Sequence, residues 1–191
     1  MQKQRGFTLI ELLLVLTIAA VLVTLAAPSF RRLIQSNSIA SAVNTFMGDL
    51  RYARSESIRL GGAVVVCRSD APEAAAPVCG PTTSGLNRNW GSGWIVFQDL
   101  NNDGVKDAAD PVLRVQAAIK SIDAIAEAGS TSTGELRFTT TGRLLNLTSA
   151  TQLTFGGSAF ASDLQRVVCV SLGGRARIAG NGTASCGSNN E

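Results

Sequence analysis

The sequence predicts an α+β protein in which one long N-terminal helix, a membrane anchor in its first half and amphipathic in its second, packs on an antiparallel β-sheet head. Three observations carry this. Residues 7–27 form an apolar run interrupted by one carboxylate, Glu11. Beyond it, apolar residues recur at three- and four-residue steps to Ala53, and Gly61-Gly62 closes the pattern. After Gly62 the chain changes to short β-rich runs separated by turn residues.

The run from Phe7 to Ala27 makes a helix of roughly 30 Å at about 1.5 Å per residue, enough to cross the apolar core of a bilayer. Glu11 is costly there, by a few kcal/mol on the order of magnitude, so an acid at that depth signals function and calls for a cation at similar depth. A secretory signal peptide is the competing reading, with Lys3 and Arg5 as its basic region. It fails because the acid lies four residues into the apolar run, the run is long, and the leader's glycine precedes the run instead of following it.

Pro28 lacks a backbone donor and is expected to kink the helix near Thr24 without ending it. From residue 28 to 62, Phe30, Leu33, Ile34, Val43, Phe46, Met47, Leu50 and Ala53 form the apolar stripe, interleaved with Arg31, Arg32, Gln35, Asp49, Arg51 and Arg54. Residues 63–191 form the head. Its expected strands are Ala63 to Cys67, Trp94 to Gln98, Val112 to Val115, Glu135 to Phe138, Gln152 to Phe155, Arg166 to Ser171 and Arg175 to Ala179. Asp70 to Arg88 reads as an exposed loop, and Ser188 to Glu191 as a frayed tail.

Cys67, Cys79, Cys169 and Cys186 all lie in the head, and their even number suggests disulfides in an oxidising compartment. Three pairings are open. Nearest-neighbour pairing, Cys67 with Cys79 and Cys169 with Cys186, is favoured because it closes two compact loops, each contributing about 3 kcal/mol by chain entropy. Zinc is disfavoured, since no Cys-x-x-Cys occurs and the chain has no histidine. The same lack removes Ser-His-Asp and Cys-His catalysis, so no enzymatic activity is expected.

Asp99, Asn101, Asp103, Asp107 and Asp110 fall at the first, third, fifth, ninth and twelfth places of a calcium loop, with Gly104 at the sixth. Against calcium, the final ligand is not Glu and the loop follows a strand. The preferred reading is a turn held by Asx hydrogen bonds, and no cofactor is required. Trp90 and Trp94 read as core or rim residues, although an exposed Trp90 would be able to stack on a base.

Gly173-Gly174 can supply the positive-φ residues of a hairpin turn before Arg175-Ala176-Arg177-Ile178. Residues two apart in a strand share a face at roughly 6.6 Å, so Arg175 and Arg177 project together while Ala176 and Ile178 face the core. Two guanidinium forks at that spacing suit neighbouring phosphates. Arg143 and Arg166 are auxiliaries that the sequence alone does not place on the same face. The net charge is +3, and +1 once Lys3 and Arg5 are removed, so attraction to an anion must come from such a local cluster.

Gly6-Phe7-Thr8-Leu9-Ile10-Glu11 resembles the type III signal of type IV pilins and type II secretion pseudopilins. That resemblance implies a leader of residues 1–6, cleavage between Gly6 and Phe7 by prepilin peptidase, methylation of Phe7, and a Glu11 that offsets the Phe7 amine of a neighbouring subunit. It implies a pilin fold, a single-pass protein of the bacterial inner membrane with its head in the periplasm, and later assembly with major and minor pilins or pseudopilins. Trp90 to Phe97, Phe138 to Arg143 and the Cys169 strand running into Arg177 resemble the GspH/FimT family.

In the FimT branch a Gly-Arg-x-Arg motif near the C-terminus is associated with DNA binding in natural transformation, and Gly174-Arg175-Ala176-Arg177 matches it. The expected function is therefore a minor pilin of a type IV pilus, within or at the tip of the filament, binding the DNA phosphate backbone without sequence preference. Two alternatives stand beside it: a structural GspH-type minor pseudopilin of the type II secretion system, and a calcium-stabilised adhesin at a pilus tip.

Overall fold

In the computed structural model, residues 8–80, 89–128, 134–145 and 147–187 are described. Helix α1 spans Leu9–Leu60, runs without interruption through Pro28, and ends at Gly61, whose φ of 62° is left-handed. Its N-terminus is closed by a capping box between Thr8 and Glu11. An 18-residue window of α1 has mean hydropathy 2.7 and no part of it buried by the head.

Burial on α1 begins only at Ile39 and continues through Ala42, Val43, Phe46, Met47, Leu50 and Ala53. Phe30, Leu33 and Ile34, expected to join the same stripe, remain 62%, 56% and 51% exposed. The stripe is continuous in sequence, but the head covers only its C-terminal part. A second correction concerns Asp49, expected on the polar side and in fact 4% exposed. One carboxylate oxygen accepts from Trp94 Nε1 at 2.8 Å and the other from Arg114 Nη1 at 2.6 Å. The indole donor needs a buried acceptor, and Asp49 supplies it.

The expected antiparallel head is built as two four-stranded sheets. In chain order the strands are β1 (Ala63–Arg68), β2 (Trp94–Asp99), β3 (Val112–Gln116), β4 (Ala124–Ala128), β5 (Glu135–Phe138), β6 (Thr151–Gly156), β7 (Arg166–Val170) and β8 (Ala176–Gly180). The first sheet runs β3-β2-β1-β5 and the second β4-β6-β7-β8. Strand β4 was not expected, because Ala-Ile-Ala-Glu-Ala has weak β-propensity; its pairing with β6 makes it a strand.

α1 packs on both sheets. At the junction the Phe46 ring meets Trp90, Trp94 and Phe155 edge-on, with centroids 5.4, 5.2 and 5.6 Å away. Trp90 and Trp94 are fully buried. Trp90 Nε1 donates to Glu127 Oε2 at 3.0 Å, and Thr151 Oγ1 donates to Glu127 Oε1 at 3.3 Å. Each tryptophan thus has its own buried carboxylate. β1 is apolar on both faces: Val64 and Val66 join the main core, while Val65 and Cys67 join a smaller cluster with Ile95, Phe97 and Cys79.

Both disulfides form as favoured from the spacing, Cys67 with Cys79 and Cys169 with Cys186. Phe46→Ala is predicted to destabilise the protein by about 3–5 kcal/mol, whereas Phe30→Ala stays within about 0.5 kcal/mol, as read by urea denaturation of the full chain in detergent micelles followed through tryptophan fluorescence.

Candidate nucleic-acid interface

Strands β7 and β8 are joined by a tight turn in which Gly174 N donates to Ser171 O and Ser171 N to Arg175 O, both at 2.9 Å. Gly174 has φ 72°, but Gly173 does not share the positive φ expected of it. The loop is therefore a three-residue hairpin connection with one left-handed glycine. An equivalent turn follows β5, where Gly142 N donates to Thr139 O and Thr139 N to Arg143 O, both at 2.8 Å, and Gly142 has φ 72°.

The two turns are packed together. Leu144 N donates to Leu172 O at 2.9 Å, and a Cβ placed on Gly174 would lie 2.2 Å from the Gly142 carbonyl oxygen. Gly174 therefore answers two demands, a left-handed backbone and a close approach. Arg143 and Arg175, each immediately following its glycine, emerge from these adjoining turns, and both are exposed. Gly142 in turn rests on Arg54 and Ile58 of α1, so Arg54 flanks the cluster.

Arg177 pairs across the ladder with Cys169. Arg175 and Arg177 line one cavity of about 300 Å³ together with Ser171, Ala150, Cys169 and Gly187. The tail forming part of that wall is held by the Cys169–Cys186 bridge and by Cys186 N donating to Gln152 Oε1 at 3.1 Å. Such an arrangement can hold an anion between guanidinium groups, and it contains no general base.

Other sequence candidates fall elsewhere. Arg166 opens β7 at the end away from the turn, and its Nη1 donates to the carbonyls of Asp163, Leu164 and Gln165. It caps a loop and does not join the cluster. Ile178 pairs with core residue Val168, as a core-facing residue should, but it is 50% exposed because β8 is an edge strand that α1 only partly covers. Trp90, buried, is closed to bases. Glu11 caps its own helix, accepting from Thr8 N at 2.9 Å and from Thr8 Oγ1 at 3.0 Å. Gly6 and Phe7 lie outside the described residues.

Asp99, Asn101, Asp103, Asp107 and Asp110 share the β2–β3 loop, where Asx bonds run from Asp103 N to Asn101 Oδ1, Val105 N to Asp103 Oδ1 and Ala109 N to Asp107 Oδ1. Among the described residues no three His, Cys, Asp or Glu side chains are already gathered around one metal position. Sequence reasoning missed Arg54 and the stacking of the two turns. The repeated Gly-Arg dipeptide, Gly142-Arg143 and Gly174-Arg175, was the available signal.

A capped, apolar helix thus carries a two-sheet head. The chain matches the family described as type II transport protein GspH over residues 42–174, and the prokaryotic N-terminal methylation motif over residues 1–27. It belongs to the GspH family. No curated protein matches. Among solved structures it is similar to the type IV minor pilin FimU of Pseudomonas aeruginosa strain PAO1 in two crystal forms. One has 20% identity and TM-score 0.57, covering 78% of this chain and 95% of that one; the other has 19% and 0.53, covering 76% and 98%. At that identity the likeness is one of fold, and the fold is the pilin fold. Arg175 and Arg177 lie just past the family match.

Gly174→Ala is predicted to destabilise the head by about 1–3 kcal/mol or more, since a left-handed alanine must also displace the Gly142 carbonyl. Gly173→Ala, with no atom nearer than Ser171 Oγ at 3.7 Å, should stay within about 0.5 kcal/mol. Urea midpoints of the two variants check the contrast.

Proposed function

We propose that the chain is a minor pilin of a type IV pilus that binds DNA through Arg175 and Arg177, with Arg143 adjoining, during uptake in natural transformation. The observation that carries this reading is the stacking of the two Gly-Arg turns, which brings arginines distant in sequence to one exposed corner of the head. Guanidinium forks there face phosphates, so little sequence preference is expected. Each phosphate neutralised adds about 0.9 to the salt slope, so a few arginines bind weakly alone and gain from several heads along a filament.

In this reading the protein enters the inner membrane by α1 with its head in the periplasm. Prepilin peptidase cuts after Gly6 and methylates Phe7, and Glu11 exchanges its Thr8 cap for the amine of a neighbouring pilin. The second reading, a GspH-type pseudopilin with a purely structural role in secretion, has the family match in its favour. The arginines separate the two.

Fluorescence anisotropy of labelled duplex DNA, titrated with the full chain in nonionic detergent at low and moderate salt, tests the proposal. Expected are salt-sensitive binding, its loss in Arg175→Ala/Arg177→Ala, a partial loss in Arg143→Ala and no change in Arg166→Ala, with circular dichroism unchanged throughout. Absence of binding at low salt overturns the DNA reading and leaves the structural pseudopilin. Binding undiminished in the double variant overturns the assignment of the site.

A further inference from the structure

We propose that the segment from Asp99 to Asp110 is a calcium-binding loop in which the buried Oδ1 of Asp99 is the anchoring ligand. This stands apart from the DNA reading. Asp99 closes β2, its side chain is wholly buried, and its Oδ2 accepts from Gly104 N at 2.8 Å, with Arg137 Nη2 3.5 Å away. Its Oδ1 has no hydrogen-bond partner. A carboxylate oxygen buried without a partner is costly and uncommon, and an unplaced ion is one of its recognised explanations.

The bonding of Asp99 is directional. Its Oδ2 is fastened to the amide of Gly104, the sixth residue of the segment, whose φ of 85° provides the sharp bend that a twelve-residue calcium loop needs at that place. One oxygen of the carboxylate is thereby held by the loop while the second is left unused. Asx bonds explain how the backbone turns, but they leave this oxygen unexplained. They also leave Asp103 Oδ2 and Asp107 Oδ2 converging on a single donor, Asn101 Nδ2, at 2.9 and 3.3 Å. A cation would bring those same oxygens together.

Charge points the same way. Asp99, Asp103, Asp107 and Asp110 carry four negative charges within the segment. The neighbouring cations are Lys106, whose Nζ donates to Asp107 O at 2.5 Å, and Arg137, beside Asp99 and donating to Asn102 O at 3.2 Å. Glu135, near enough to feel both Asp99 and Arg137, adds a further negative charge, so the surroundings stay net negative, which a divalent cation offsets. The donors are all oxygens, from carboxylates, the Asn101 amide and a backbone carbonyl at the seventh place, Val105; this set suits calcium better than magnesium, which demands a strict octahedron. Loading requires Asn101 to turn its amide so that oxygen replaces nitrogen.

The full chain in nonionic detergent, stripped with EGTA, is titrated calorimetrically with calcium chloride and separately with magnesium chloride, and its thermal midpoint is followed in each. Expected are one calcium per chain with Kd of about 10⁻⁴–10⁻³ M, a higher Tm in excess calcium that EGTA reverses, and a much smaller response to magnesium. Asp103→Asn and Asp107→Asn, whose side chains are not part of the core, each weaken calcium on the order of tenfold. Asp99→Asn abolishes it, and the two milder variants keep the test decisive should that chain fail to fold. Absence of both heat and a Tm shift in excess calcium overturns the proposal. So does undiminished binding in Asp103→Asn/Asp107→Asn.

Discussion

The head depends on one contact, the wedging of Phe46 between Trp90, Trp94 and Phe155, which ties α1 to the connection before β2 and to strands of both sheets at once. It is the aromatic centre of a core common to the two sheets, whose strand ladders each lie within one sheet. The two indole donors at this junction are satisfied by Asp49 from the helix and by Glu127 from β4. Those bonds give the aromatic cluster a direction that apolar packing lacks, and they fix the rotation of α1 against the head.

The same helix serves two environments. From Ile39 to Ala53 its large apolar residues are covered by protein, whereas from Leu9 to Ile34 they are bare. That exposed surface is far larger than a water-soluble protein tolerates, so lipid or neighbouring helices must cover it. The exposed Arg32–Asp163 ion pair joins α1 to the head near this border, and a pair in solvent holds little. Glu11 is at peace in the single chain because Thr8 caps it.

Local features of the sequence were readily legible. The Gly61 stop, seven of the eight strands and the disulfide partners all depend on residues close in the chain. What escaped depends on distance. Asp49 looked like a solvent-facing acid because the helical pattern cannot show an indole approaching from β2. Strand β4 is too rich in alanine to announce itself and is defined by β6 and by the buried bonds of Glu127. Arg175 and Arg177 were legible as neighbours on a strand, yet the contact that brings Arg143 to them runs through Gly142 and Gly174, two glycines whose proximity no spacing rule predicts. Arg166 was misjudged for the complementary reason: carbonyls just before it in the chain take up its guanidinium.

Hydrogen–deuterium exchange of the full chain in micelles tests most directly the claim that one helix is split between a packed half and a half that needs an external partner. Amides of residues 42–57, locked behind Phe46, should exchange only with global unfolding of the head, while those of residues 30–34, which the head leaves bare, should exchange orders of magnitude faster. Equal protection along the whole stretch would show that the head, and not a membrane or filament neighbour, stabilises the upper helix, and would contradict the account.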